Sequence, residues 1–180
     1  MLILILYVDD LLIIGEDHLI NQCKKELTFE FDMKDLWILH YFLGLENRKK
    51  SGNIFLHQKK YIVDILKRFG MWDYRPMSTP METNLHKLKE ATAESKLIDP
   101  TLYRQIIGSL MYLLNTQLDI YYVVNALSQF MCQPREVHLV VVKHILMYLQ
   151  GTIGYQLKYE NTNLELHGYI DSDWARSVKD

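Results

Sequence analysis

The stretch Tyr7-Val8-Asp9-Asp10 carries the residues of this sequence best equipped for chemistry. It lies between two apolar runs, residues 2–6 and 11–14, and Gly15 closes the second. That apolar, acidic, apolar pattern reads as a β-hairpin with the acidic pair at its tip, and the runs predict a buried hairpin. A two-residue hairpin turn ordinarily takes Gly or Asn where φ is positive, and this one has neither. Such departures are expected at functional sites, where strain and like charge are kept for chemistry. Two adjacent carboxylates repel each other, and a divalent cation relieves that repulsion. Mg²⁺ suits the pair, because it prefers hard oxygen ligands and often takes only one or two carboxylates together with substrate phosphates.

Basic side chains form the second chemical feature. Residues 21–70 hold ten Lys or Arg against six Asp or Glu, so this segment is +4 while the rest is −6 and the whole chain −2. A local basic strip can contact phosphates even when the chain is nearly neutral, since exposed charges beyond a Debye length are largely screened. Other chemistries lack their signatures. The seven histidines show no HExxH spacing, Ser109 lies in GSL and not in a GxSxG elbow, and no Gly-rich phosphate loop occurs. The histidines read as surface or helix-packing residues. Cys23 and Cys132 form no CxxC pair, which argues against a zinc ribbon or a disulfide framework and for a reducing, intracellular setting. The N-terminal apolar run meets Asp9 long before the ~20 residues of a membrane span.

These features need elements to position them. Residues 21–31 read as a surface helix with Asp17 as N-cap. The run YFLGLENRKKSGNIFLHQ predicts a second hairpin turning at Ser51-Gly52. Apolar positions 62, 63, 65, 66 and 69 follow helical spacing, with Gly70 placed as a C-terminal cap and basic residues on the outer face. Residues 72–100 carry three prolines and few large apolar groups, as a linker or surface loop does. Helical patterns return at 102–114, 120–131 and 136–149, and predict three packed helices. YQLKY and LELHGYI then alternate as half-exposed strands do. The expected fold class is α+β, with hairpins first, a helical bundle next and strands last.

Taken together the motifs resemble a family. YVDD within an apolar hairpin resembles the active-site turn of reverse transcriptases, and DLWILHYFLGLE, HQKKYIVDILKRFGM, MSTPM, YRQIIGSLMYL, SQFMCQP, KHILMYLQGT and GYIDSDWA resemble, in order, the copia-type retrotransposon Pol polyprotein. The likeness covers essentially the whole chain. It implies a C-terminal part of the palm at 1–57, thumb and connection helices at 58–150 and the truncated start of a ribonuclease H-like domain at 151–180. Asp9 and Asp10 would be two of three carboxylates holding Mg²⁺ or Mn²⁺ for nucleotidyl transfer, and Tyr7 would sit beside the primer terminus. Lys49, Lys50, Lys59, Lys60, Lys67 and Arg68 would track the nucleic-acid backbone. Asp171 would be the first metal carboxylate of ribonuclease H.

The implied partners are an RNA or DNA template-primer duplex, a dNTP and the other parts of the polyprotein, in a cytoplasmic particle and without a membrane. The family's third polymerase carboxylate lies upstream of the acidic turn, so the isolated chain is expected not to polymerise. The alternatives are a non-catalytic nucleic-acid-binding relic, or a chain whose apolar hairpin edge prevents a stable product. The sequence departs from the family pattern at Trp37, Gln156 and Arg176, where relatives usually have Gly, and at residues 116–120, where they usually read TRPDI.

Overall fold

The computed structural model describes residues 1–36, 39–81 and 95–160. Its contacts divide the chain into two compact units, Met1–Leu39 and His40–Asp180. The division falls before the second hairpin, so that hairpin shares a unit with the later helices.

In the first unit β1 (Leu2–Tyr7) pairs antiparallel with β2 (Asp10–Gly15), and α1 (Asp17–Glu30) follows. The helix starts earlier than its apolar spacing suggests. Glu16, not Asp17, occupies the N-cap position, and Asp17 lies in the first turn, where its charge complements the helix dipole. The hairpin is not buried: Leu4 is 51% exposed and Leu6 73%. Two strands and one helix with no buried residue cannot enclose both faces of an apolar ribbon.

The second unit contains a four-stranded antiparallel sheet in the order β3 (Tyr41–Phe42), β4 (Leu45–Lys50), β5 (Asn53–His57), β6 (Leu157–Tyr159). Both tight turns have positive φ at each central residue, Leu43 and Gly44 in one, Ser51 and Gly52 in the other. That is the type I′ pattern, whose twist matches the flanking strands. The expected strand in YQLKY is present, and it closes this sheet by pairing Leu157 with Leu56 and Tyr159 with Ile54. LELHGYI lies outside the described residues.

α2 (Lys59–Arg68) turns Ile62, Ile65 and Leu66 inward. Its N-terminus is met by Glu46, whose carboxylate accepts the Lys60 N–H at 2.8 Å. Its end is a Schellman motif: Met71 N–H donates to the Leu66 carbonyl at 2.7 Å and Gly70 N–H to Lys67 at 3.1 Å, with Gly70 at φ +67°. Three further helices complete the core: α3 (Pro100–Leu113), α4 (Tyr121–Ser128) and α5 (Glu136–Gly151). Asp99 caps α3 by accepting the Thr101 N–H at 2.8 Å, and Pro100 fits the first turn because its missing N–H would have had no helical partner. α4 is shorter than its apolar spacing suggests. A 3₁₀ turn at Leu118–Ile120 leads into it, and it stops at Ser128. Among the described residues no helix is long and apolar enough to cross a membrane.

The described parts of the 72–100 segment do not hang free. Met77 N–H donates to the Met147 carbonyl at 3.3 Å, His144 Nε2 donates to Thr79 at 2.9 Å, and the Gln150 amide donates to Trp72, all along the later turns of α5. Glu136 N–H donates to Lys96 at 2.9 Å and Ile98 N–H to Pro134 at 3.1 Å at its start.

His138 ties pH to this helix. It is fully buried, stacked on Phe130 at 3.8 Å between ring centres, and its Nδ1 accepts the Arg135 N–H at 3.1 Å. Only a neutral ring can accept there. Burial, with the Arg135 charge adding to it, holds its pKa below the usual histidine value. The unfolded chain therefore takes up the proton more readily. The stability from the neutral ring is complete above about pH 6.5 and is lost as pH falls through the lowered folded value. The unfolding free energy of the second unit, read from urea titrations, is expected to fall between pH 7 and 5, by at most about 1.4 kcal/mol per pH unit from this group. His138→Gln, which keeps an acceptor at the third helical position, is expected to flatten that slope. An unchanged slope in the variant would remove His138 as its cause.

Candidate active-site turn and basic face

The register of the first hairpin fixes where the acidic pair sits. Tyr7 pairs with Asp10, leaving Val8 and Asp9 as the two central turn residues. Directly paired residues point to the same face of a ribbon, so the Tyr7 ring and the Asp10 carboxylate lie side by side. Val8 has φ +52° and is the only turn residue here in the left-handed region. That φ pattern is a type II′ turn, which the strands' twist favours and which usually puts Gly at this first position. A β-branched side chain there is strained by about 1–3 kcal/mol. The missing glycine noted in the sequence is thus a real strain at the tip.

Asp9 and Asp10 are exposed, and neither takes part in an ion pair among the described residues. Adjacent hard oxygen donors of this kind fit a divalent cation that completes its coordination with water and phosphate. They supply two ligands only. Among the described residues no group of three His, Cys, Asp or Glu could hold a metal. Asp171 lies outside the described residues.

The six basic residues singled out from sequence belong to the second unit, and all are exposed. Lys49 and Lys50 end β4, where neighbouring side chains point to opposite faces, so they do not form one patch. Lys50 instead shares its face with Arg48. On α2 the seven-residue spacing of Lys60 and Lys67 puts them in one stripe opposite Ile62, Ile65 and Leu66, with Lys59 and Arg68 on its flanks.

Sequence reasoning missed how the cations are held. The Lys60 ammonium sits 6.0 Å from the Tyr41 ring centre, Lys67 5.6 Å from Trp72, and Arg48 5.4 Å from Phe55. The Arg48–Phe55 contact is a cross-strand pair that the turn at Ser51-Gly52 already fixes. Lys60 and Tyr41 are distant in sequence, and Lys67 meets Trp72 through the turn at Gly70, so spacing gave no signal for either.

Residues 1–83 match the family model described as reverse transcriptase (RNA-dependent DNA polymerase). The chain is 46% identical to the retrovirus-related Pol polyprotein from transposon RE1 of Arabidopsis thaliana, over 98% of this chain and 12% of that protein. It is 39% identical to the corresponding polyprotein from transposon TNT 1-94 of Nicotiana tabacum, over 98% of this chain and 14% of the relative. An uncharacterized mitochondrial protein of Arabidopsis thaliana is 40% identical over 96% of this chain and 71% of its own length. No solved structure matches the chain. The strained acidic turn falls inside the matched segment, and the chain belongs to the reverse transcriptase family found in copia-type retrotransposon Pol polyproteins.

Proposed function

We propose that this chain supplies the acidic catalytic turn and part of the duplex-holding surface of a retrotransposon RNA-directed DNA polymerase. The observation that carries the reading is the Val8-strained turn presenting Asp9 and Asp10 beside Tyr7 within the segment that matches the family. The reaction is nucleotidyl transfer, in which a primer 3′ hydroxyl attacks the α-phosphate of a dNTP and pyrophosphate leaves.

Asp9 and Asp10 would hold Mg²⁺ or Mn²⁺, which when bound lowers the pKa of the attacking hydroxyl and neutralises charge on the leaving pyrophosphate. Tyr7, exposed and paired with Asp10, offers a flat face to the primer terminus or incoming nucleotide. The strained turn holds both carboxylates at the hairpin tip without rearrangement, which is the preorganisation that electrostatic catalysis needs. Lys60 and Lys67, flanked by Lys59 and Arg68, would neutralise backbone phosphates, and of Lys49 and Lys50, which lie on opposite faces of β4, one would contact them from the hairpin.

Two carboxylates do not complete a two-metal site. The third would come from another part of the polyprotein, and the isolated chain is inactive in this reading. In the same reading Asp171 opens a ribonuclease H-like segment, residues 1–57 and 58–150 correspond to palm and to thumb with connection, and the parent enzyme works in a cytoplasmic particle. A second reading, a non-catalytic nucleic-acid-binding module, is favoured by the exposed basic stripe on α2 taken with the incomplete ligand set.

Primer extension on an RNA template with Mg²⁺ tests both, comparing the native chain with an Asp9→Asn, Asp10→Asn double variant. No extension is expected from either, with salt-sensitive duplex binding in both. Extension by the native chain alone, abolished in the variant, would overturn the claim of inactivity and make the chain a working polymerase.

A further inference from the structure

The exposed cations of this chain are held in two different ways. Lys24 donates to Asp35 at 2.9 Å and Lys158 to Glu160 at 2.5 Å, so those charges are met locally by a carboxylate. Arg48, Lys60 and Lys67 are not. Among the described residues none of the three forms an ion pair, and each lies over an aromatic ring instead, Phe55, Tyr41 and Trp72 in turn. A ring face attracts a cation through its quadrupole without neutralising it. The side chain is thereby held in place with its full charge available to an anion.

These cations lie along one surface. Tyr41 pairs with Glu46, which stands two residues before Arg48 on β4, so Tyr41, Arg48 and Lys50 share a face of the sheet with Phe55 opposite Arg48. The Lys60 ammonium over the Tyr41 ring carries that face onto α2, and Lys67 continues it two turns further along the helix. Arg48 and Lys50 are about 7 Å apart along the strand, and Lys60 and Lys67 about 10 Å apart along the helix. Three carboxylates border the row. Glu46 is turned to the Lys60 N–H at 2.8 Å and to His57 Nδ1 at 3.5 Å, Asp64 lies between Lys60 and Lys67 on α2, and Asp73 follows Trp72. None of them pairs with Arg48, Lys60 or Lys67.

An extended row of unmatched cations asks for a polyanion, because a single phosphate or carboxylate reaches only one of them. An acidic peptide carries its charges on flexible side chains, whose ordering opposes binding. A nucleic-acid backbone carries them at short, regular intervals on the chain itself. We propose that Arg48 is a further phosphate contact of this surface, alongside Lys60 and Lys67, and that Phe55, Tyr41 and Trp72 are positioning residues that hold the three cations ready. Long cationic side chains lose rotamer freedom when they seize a phosphate, and a ring that already restrains them reduces that loss. The inference rests on the duplex-binding reading and adds to it which hairpin face meets the backbone, the one bearing Arg48 and Lys50.

The test uses the full chain and a short RNA–DNA hybrid duplex, with affinity read by fluorescence anisotropy over a salt series. Charge and positioning separate in it. Arg48→Gln is expected to make the logarithmic salt slope shallower by about 0.9, the value of one phosphate contact. Phe55→Leu removes the ring and keeps every charge, so affinity is expected to fall about threefold at an unchanged slope, and Phe55→Tyr to restore it. Trp72→Leu and Trp72→Phe form a second such pair, which decides the matter should Phe55→Leu unfold, and circular dichroism reports the fold of each variant. A steep native slope that Arg48→Gln leaves unchanged would overturn the proposal, as would native affinity in the folded leucine variants or a loss that the ring-keeping variants fail to restore. Polyglutamate competing as well as unlabelled duplex would overturn it in favour of an acidic protein partner. A native slope near zero would instead sink the duplex-binding reading itself.

Discussion

Leu66→Ala is expected to lower the stability of the His40–Asp180 unit by about 3–4 kcal/mol, enough to shift its folded-to-unfolded ratio by more than about a hundredfold. The side chain is completely buried in the helical core, and α2 reaches α5 through this face. Truncation removes transfer free energy and leaves a cavity. Collapse of that cavity is resisted, because the Leu66 carbonyl accepts the Met71 N–H in the Schellman motif and Met71 is itself 97% buried, at 3% exposure. Equilibrium urea unfolding followed by tryptophan fluorescence measures the loss, since Trp72 lies next to the affected turn. A drop below about 1 kcal/mol would mean that α2 docks on the bundle far more loosely than its burial implies.

Raising salt fourfold, from about 50 to 200 mM, is expected to weaken duplex binding by about 150-fold if four phosphates are neutralised. The slope follows from counterion release, near −0.9 per contact on a logarithmic plot, so four contacts give about −3.6. Lys60→Glu with Lys67→Glu is expected to cut that slope by about half, because these two share one stripe of α2 and both point away from the core. A filter-binding or anisotropy series at several salt concentrations supplies the slope directly. A slope near zero in the native chain would sink the duplex-binding reading, and an unchanged slope in the variant would place the contacts elsewhere.

The local rules carried most of the architecture. Gly70 marked the end of α2 because only a residue comfortable at positive φ can close a Schellman motif, and Ser51-Gly52 marked the hairpin turn for the same reason. The acidic turn was legible because Val-Asp breaks the ordinary turn chemistry, and the structure shows that break as the φ of Val8.

What escaped the sequence depended on distant neighbours. The alternation in YQLKY announced a strand, but nothing in it named β5, about a hundred residues earlier, as its partner. The apolar runs of the first hairpin look the same whether their faces are covered or open, so exposure of Leu4 and Leu6 was not readable from them. Histidine spacing could not show that His138 caps its own helix, because that role needs the fold of the Pro134–Arg135 approach.

Among the described residues, three left-handed turn positions are held by ordinary residues, Val8, Leu43 and Ser51, and they have a bearing on how this chain could change over time. At Leu43 and Ser51 the following residue is already glycine, so a single change to Asn would produce the pair that a type I′ turn favours most, with a gain of about 0.5–1 kcal/mol at each. The chain thus holds unspent tolerance in its sheet: a lineage that acquired either replacement could absorb an otherwise harmful substitution in the helical core and still fold.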